Sequence, residues 1–119
     1  MVRDGIRAVL ALQKDMQVVG EAVNGNEALE KTVELSPDVV LMDIVMPVMS
    51  GLEATKRIGS SGRGTKVLML SQYDDEENML ASNQAGALGF VPKTNAGKDL
   101  LDGIRSVNLG KPFTPTVST

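Results

Sequence analysis

Short apolar runs that each end in a polar residue, set between stretches of helical periodicity, predict an α/β protein built on a parallel sheet. Three runs carry that prediction: Val39 to Asp43, Lys66 to Ser71 and Leu88 to Lys93. A run that is apolar at nearly every position is buried on both faces, as a parallel strand covered by helices is. Strands alternating with helices imply crossover connections and helices on both faces of the sheet.

Taken in order, Val2, Ile6, Val9 and Leu10 fall on one face of a first helix, and Asp15 breaks the pattern. Val18 to Val23 reads as a strand that ends in the turn Asn24-Gly25. Asn26 to Leu35 reads as a helix with Asn26 as N-cap and with Leu29 and Val33 facing inward; Ser36-Pro37 stops it. After the strand ending at Asp43, Ser50 can cap a helix that presents Leu52, Thr55 and Ile58 on one face. The small residues Gly59 to Gly64 form a loop, and Lys66 to Ser71 is the next strand. Asp74 to Glu77 places acids at a helix N-terminus, where they suit the dipole, and Gly86 supplies the left-handed residue that ends that helix. Pro92 belongs at the end or on the edge of its strand. Thr94 or Asn95 opens a last helix with Leu100, Leu101, Ile104 and Val107 inward, ended by Gly110 and Pro112. From Pro112 to Thr119 no pattern is evident. The reading is four strands and five helices per chain.

Composition sets bounds. A chain of 119 residues has room for one core. A net charge of −3 provides no basic field, so nucleic acid is not expected as a direct partner. The absence of His and Cys excludes imidazole and thiolate ligands, His general bases and Ser-His triads, and fits a cytoplasmic location. No apolar run is long enough to span a membrane. With aromatics at 3%, the core must come from aliphatic residues and seven Met.

The polar residues at the strand ends carry the chemistry. Parallel strands share one C-terminal edge, so Asp43, Ser71 and Lys93 are expected in one crevice, where open α/β sheets keep their ligands. A carboxylate there can attack phosphorus to give an acyl phosphate. A hydroxyl and an ammonium can hold the oxygens of the transferred group, since phosphoryl transfer is mostly positioning and electrostatics.

These residues resemble a known family. Leu41-Met42-Asp43-Ile44-Val45-Met46-Pro47-Val48-Met49-Ser50-Gly51 looks like the phosphoacceptor loop of response-regulator receiver domains. Ser71 matches the family's Ser/Thr switch position, and Phe90 and Lys93 match its switch aromatic and lysine. Leu109-Gly110-Lys111-Pro112-Phe113 is similar to the subfamily in which a helix-turn-helix DNA-binding domain follows the receiver. The resemblance covers nearly the whole chain. It implies a flavodoxin-like, doubly wound fold, with a receiver over residues 1–112 and a tail or linker remnant over 113–119. It also implies a two-component function in which Asp43 accepts phosphate from a histidine kinase. Mg²⁺ would be held by Asp43 and the backbone carbonyl of Val45. The domain would not be an enzyme in its own right.

One departure stands out. Receivers begin with a strand ending in two adjacent acids, whereas Val2 to Arg7 already reads as the following helix. In the family's 2-1-3-4-5 order that strand lies mid-sheet, so the expectation is an N-terminally truncated receiver with a gap in its sheet. Asp38 cannot replace the acids, being roughly 16 Å back along the strand at ~3.3 Å per residue. Asp4 lies too late, in the helix, while Asp74 and Asp75 could reach the site. Unpaired strand edges seek partners, so the strands of Val18 to Val23 and Val39 to Asp43 are expected either to pair directly or to exchange elements with another copy, and the folded form is expected to be a homodimer. The competing function is a non-phosphorylated interaction or dimerisation module. An independent α/β enzyme is disfavoured, because the chain has neither a glycine-rich phosphate loop nor a metal cluster. Away from the switch role, Phe90 reads as a half-buried packing residue.

Overall fold

Alternation along the strands builds two cores. In a computed structural model of the chain, which describes residues 2–45, 48–61, 64–71, 76–92 and 98–114 (side chains of 2–5 and 98 excepted), three strands form one sheet. They are β1 (Val39–Asp43), β2 (Lys66–Ser71) and β3 (Gly89–Pro92), in the order β1-β2-β3. Both ladders are parallel. Val39 pairs with Lys66 and Asp43 with Leu70 in one, Leu68 with Gly89 and Ser71 with Pro92 in the other. Five helices surround the sheet: α1 (Val2–Ala11), α2 (Gly25–Leu35), α3 (Gly51–Ser60), α4 (Glu76–Ala85) and α5 (Lys98–Asn108).

Successive strand residues point to opposite faces. Met42, Val67, Met69 and Phe90 therefore pack with Ala28 of α2 and with Ala54 and Ile58 of α3. Leu68, Leu70 and Val91 pack on the other face with Leu100 and Val107 of α5, and Ile6 of α1 joins them. Burying an aliphatic side chain of this kind contributes about 1.5–3 kcal/mol. β2, central and covered on both faces, holds the two cores together.

The helix ends follow local chemistry. The Ser50 side chain accepts the Glu53 N–H at 3.2 Å, as expected of the α3 cap. Gly86 and Gly110 adopt the left-handed region, with φ of 102° and 79°. At α2 the cap is Asn24, not Asn26: its Oδ1 accepts the Glu27 N–H at 2.8 Å. Ala28 and Thr32 face inward, Leu29 packs half-buried against the same core as expected, and Val33 is exposed, against expectation. Ser36, at φ 46°, ends α2.

Two further expectations are corrected. Val18 to Val23 forms no ladder, so the described residues contain three strands, not four. Their apolar sequence favours extended backbone, but a strand exists only with a partner, and this stretch is separated from β1 by an open cleft. Val18, Val19 and Val23 are accordingly exposed. The stretch after Pro112, read as patternless, contains Phe113, which forms a parallel bridge to Gly89. The Phe90 N–H donates to the Phe113 carbonyl at 3.0 Å, and the Phe113 N–H to the Leu88 carbonyl at 3.2 Å.

Candidate functional site

The C-terminal ends of β1 and β2 bring Asp43 and Ser71 to one edge of the sheet. Asp43 stands opposite Leu70, the residue before Ser71, so the two lie one register step apart on strands about 4.8 Å apart. Asp43 is half-buried, and its Oδ1 accepts the Val45 N–H at 3.3 Å. Val45 itself is 81% exposed. Ser71 is buried, and its Oγ accepts from Asn78 Nδ2 of α4 at 3.5 Å. α4 thus reaches the hydroxyl from outside the sheet. The third strand end is Pro92, beside Ser71; Lys93 follows it in the chain but lies outside the described residues, as do Asp74, Asp75 and the Met46-Pro47 step.

The described residues on either side of the loop after Asp43 approach each other closely. The Gly51 N–H donates to the Ile44 carbonyl at 2.9 Å, folding the start of α3 back over the end of β1. A Cβ at Gly51 would stand 1.9 Å from the Asp43 carbonyl oxygen. Only glycine permits that approach. The start of α2 packs against the same loop, where a Cβ at Gly25 would meet the Met49 carbonyl at 2.5 Å. Val48 sits between these clamps at φ 71°, a conformation that a β-branched residue adopts only under strain. Gly25, Gly51 and Asn78 are positioning residues that periodicity did not reveal. Gly51 carried a signal all the same, as a glycine directly after a capping serine.

Phe90 is buried, not half-buried: at 1% exposure it packs in the cluster that holds Met69 and Ala87. Its backbone is what reaches the sheet edge, through Phe113.

Electrostatics outside the site centre on α5. Arg105 Nε donates to Asp15 Oδ2 at 3.0 Å, and its Nη2 donates to Gln13 Oε1 at 3.0 Å. The bond between Arg105 and Asp15 holds the Asp15 carboxyl below its ordinary value of 3.8 and raises the Arg105 guanidinium further.

A matching sequence profile decides what this edge belongs to: that of the response regulator receiver domain, matched over residues 1–105. The chain belongs to the response regulator receiver family. It is 42% identical over 112 residues to the transcriptional regulatory protein LiaR of Bacillus subtilis, covering 94% of this chain and 53% of LiaR. It is 40% identical over 118 residues to the response regulator protein VraR of Staphylococcus aureus, covering 98% of this chain and 56% of VraR. The chain thus spans about half the length of these relatives. Among solved structures, it is similar to the signal receiver domain of the response regulator NarL from Mycobacterium tuberculosis. That match has a TM-score of 0.88 at 32% identity and covers 92% of this chain and 89% of the other. A LuxR-family response regulator from Aurantimonas gives a TM-score of 0.89 at 29% identity, over 94% of this chain and 80% of the other. The receiver family and the flavodoxin-like parallel fold are therefore as the strand ends led one to expect, with relatives in the LuxR group.

Receivers use Mg²⁺, which takes hard oxygen ligands: one or two carboxylates, phosphate oxygens and waters. The donors at this edge are of that kind, the Asp43 carboxylate and the exposed Val45 backbone. They are the minimum, since no group of three or more acidic residues gathers among the described residues. No helix among the described residues is long and apolar enough to cross a membrane.

Proposed function

We propose that this receiver accepts a phosphoryl group on Asp43 from a histidine kinase of a two-component system, in the cytoplasm. The observation that carries the reading is the half-buried Asp43 at the C-terminal edge of a parallel sheet, beside the buried Ser71 hydroxyl. An Asp43 carboxylate oxygen attacks phosphorus as the bond from phosphorus to the donor nitrogen breaks, leaving an acyl phosphate on Asp43. Asp43 and the Val45 carbonyl would hold Mg²⁺, which neutralises charge on the phosphoryl oxygens when bound. Ser71 binds a phosphoryl oxygen, and its bond to Asn78 passes that event to α4. Lys93 supplies the countercharge, and Phe90 responds through the core it packs in. The domain acts as a switch, not as an enzyme with its own substrate, and its full-length relatives suggest a DNA-binding output. Incubation with Mg²⁺ and acetyl phosphate, followed by intact mass measurement, tests this reading. One added phosphoryl is expected, and its loss is expected in Asp43→Asn. No addition, under conditions that label another receiver, would overturn it.

A second reading is an interaction module. The outer edge of β1 favours it, because β1 pairs only with β2 among the described residues. The expected homodimer is the case in which a second copy covers that edge.

A further inference from the structure

Ser71 is buried at the end of β2. A phosphoryl oxygen accepts hydrogen bonds and offers none, so Ser71 can serve one only by donating its single hydroxyl proton. Where that proton points depends on what else touches the oxygen. Asn78, half-buried in the first turn of α4, donates from Nδ2 to the Ser71 Oγ at 3.5 Å. That donor takes up a lone pair and turns the O–H away from α4, which leaves the proton for a group at the sheet edge. Two contacts seat Asn78 there. Ser82, one turn on and fully buried, donates from Oγ to the Asn78 carbonyl at 2.8 Å. Met79, the next residue, packs against the core that holds Met69 and Phe90. Given Asp43 as the phosphoacceptor, we propose that Asn78 is a positioning residue for phosphoryl transfer: its amide donates to Ser71, whose hydroxyl donates in turn to an oxygen of the phosphoryl group on Asp43.

Such a chain runs from donor to acceptor in one direction, and each donation polarises the next bond, by about 10–30%. At 3.5 Å the Asn78 bond is long, so it steers the hydroxyl more than it binds it. The residue type matters because the direction does. An amide offers an N–H. A carboxylate of the same shape only accepts, and would draw the Ser71 proton back toward α4. A purely structural role for Asn78 predicts the opposite outcome for that exchange. A carboxylate in the first turn of a helix suits the dipole, and Glu76 and Glu77 already stand there. Asn78→Asp therefore separates the two roles: it favours the helix and reverses the relay.

Initial rates of phosphoryl uptake from acetyl phosphate with Mg²⁺, read by intact mass, test this role, in high salt to screen the added charge. Relative to the parent, Asn78→Ala slows uptake about threefold and Asn78→Asp about tenfold or more, the range expected for losing and for reversing one hydrogen bond. The melting temperature of Asn78→Asp is no lower than the parent's. In a Ser71→Ala background the same two substitutions change the rate by less than about twofold, because the hydroxyl they act through is gone. Uptake by Asn78→Asp equal to the parent's, or effects at Asn78 that persist undiminished without the Ser71 hydroxyl, would overturn the role and leave Asp43 as the acceptor. A parent that takes up no phosphoryl, under conditions that label another receiver, would instead overturn Asp43 as the acceptor and the relay with it.

Discussion

The two edges of the sheet are made of the same backbone and are finished in opposite ways. At the β3 edge the chain returns after α5, and Phe113 hydrogen-bonds on both sides of Gly89. The missing Cβ of Gly89 makes room, since one there would meet Leu68 Cδ1 at 2.6 Å and Phe113 Cβ at 3.3 Å. That edge also ends in Pro92, which has no N–H to offer. At the β1 edge no described segment pairs, and a cleft separates the strand from the nearest extended stretch. The contrast teaches where function can be added. The edge closed by Phe113 contributes stability, whereas β1 carries the carboxylate of Asp43 at its C-terminal end.

The largest effect is expected where the open edge ends. Gly51→Ala places a methyl 1.9 Å from the Asp43 carbonyl oxygen, a backbone atom that can yield only if β1 moves. Overpacking of this kind costs about 3 kcal/mol, at the upper end of its usual range. It outweighs the gain of roughly 1 kcal/mol from alanine's better helix propensity. Urea denaturation should show the loss. A variant as stable as the parent would mean that the turn over Asp43 is loose.

The closed edge should respond less. Phe113 is half-buried against the core of Leu68, Val91 and Leu100, so Phe113→Ala should cost about 2 kcal/mol, below the 3–5 kcal/mol of a fully buried phenylalanine. Exchange of the Phe90 amide, which donates to the Phe113 carbonyl, should rise more than that of the Ile44 amide, which donates into the central ladder. Equal changes at both would show that Phe113 stabilises the whole fold and not its own edge.

The sequence made most of this legible wherever the signal was local. The three apolar runs fall on β1, β2 and β3 because burial on both faces writes itself into every position. Ser50, Gly86 and Gly110 marked helix ends by their own conformational chemistry. Asp43 and Ser71 followed from the strand ends, since a parallel sheet brings those ends together. What escaped depended on partners. Val18 to Val23 has strand-like residues, and the gap expected beside it leaves it without a ladder among the described residues. Phe113 looked like tail because one bridging residue has no period. Asn24 lost the cap to Asn26 on paper because both have the side chain for it, and what decides between them is the Glu27 N–H that the Asn24 side chain accepts.

The smallest expected effect concerns the wall of the cleft. Asp15 follows α1, and its bond to Arg105 ties the start of the 16–23 stretch to α5. A carboxyl held below its ordinary value contributes stability that is fully present above the unfolded value near 3.8. That contribution is lost as pH falls through the depressed folded value. Both partners are exposed to solvent, so the pair contributes little and salt weakens it further. The parent should therefore lose slightly more thermal stability than Asp15→Asn as pH is lowered from 5 to well below 3.8, and high salt should remove the difference. Exchange in residues 16–23 should rise over the same interval, while the Phe113 edge stays protected. If the two proteins give parallel curves of melting temperature against pH, the Arg105 contact does not hold the 16–23 stretch against α5.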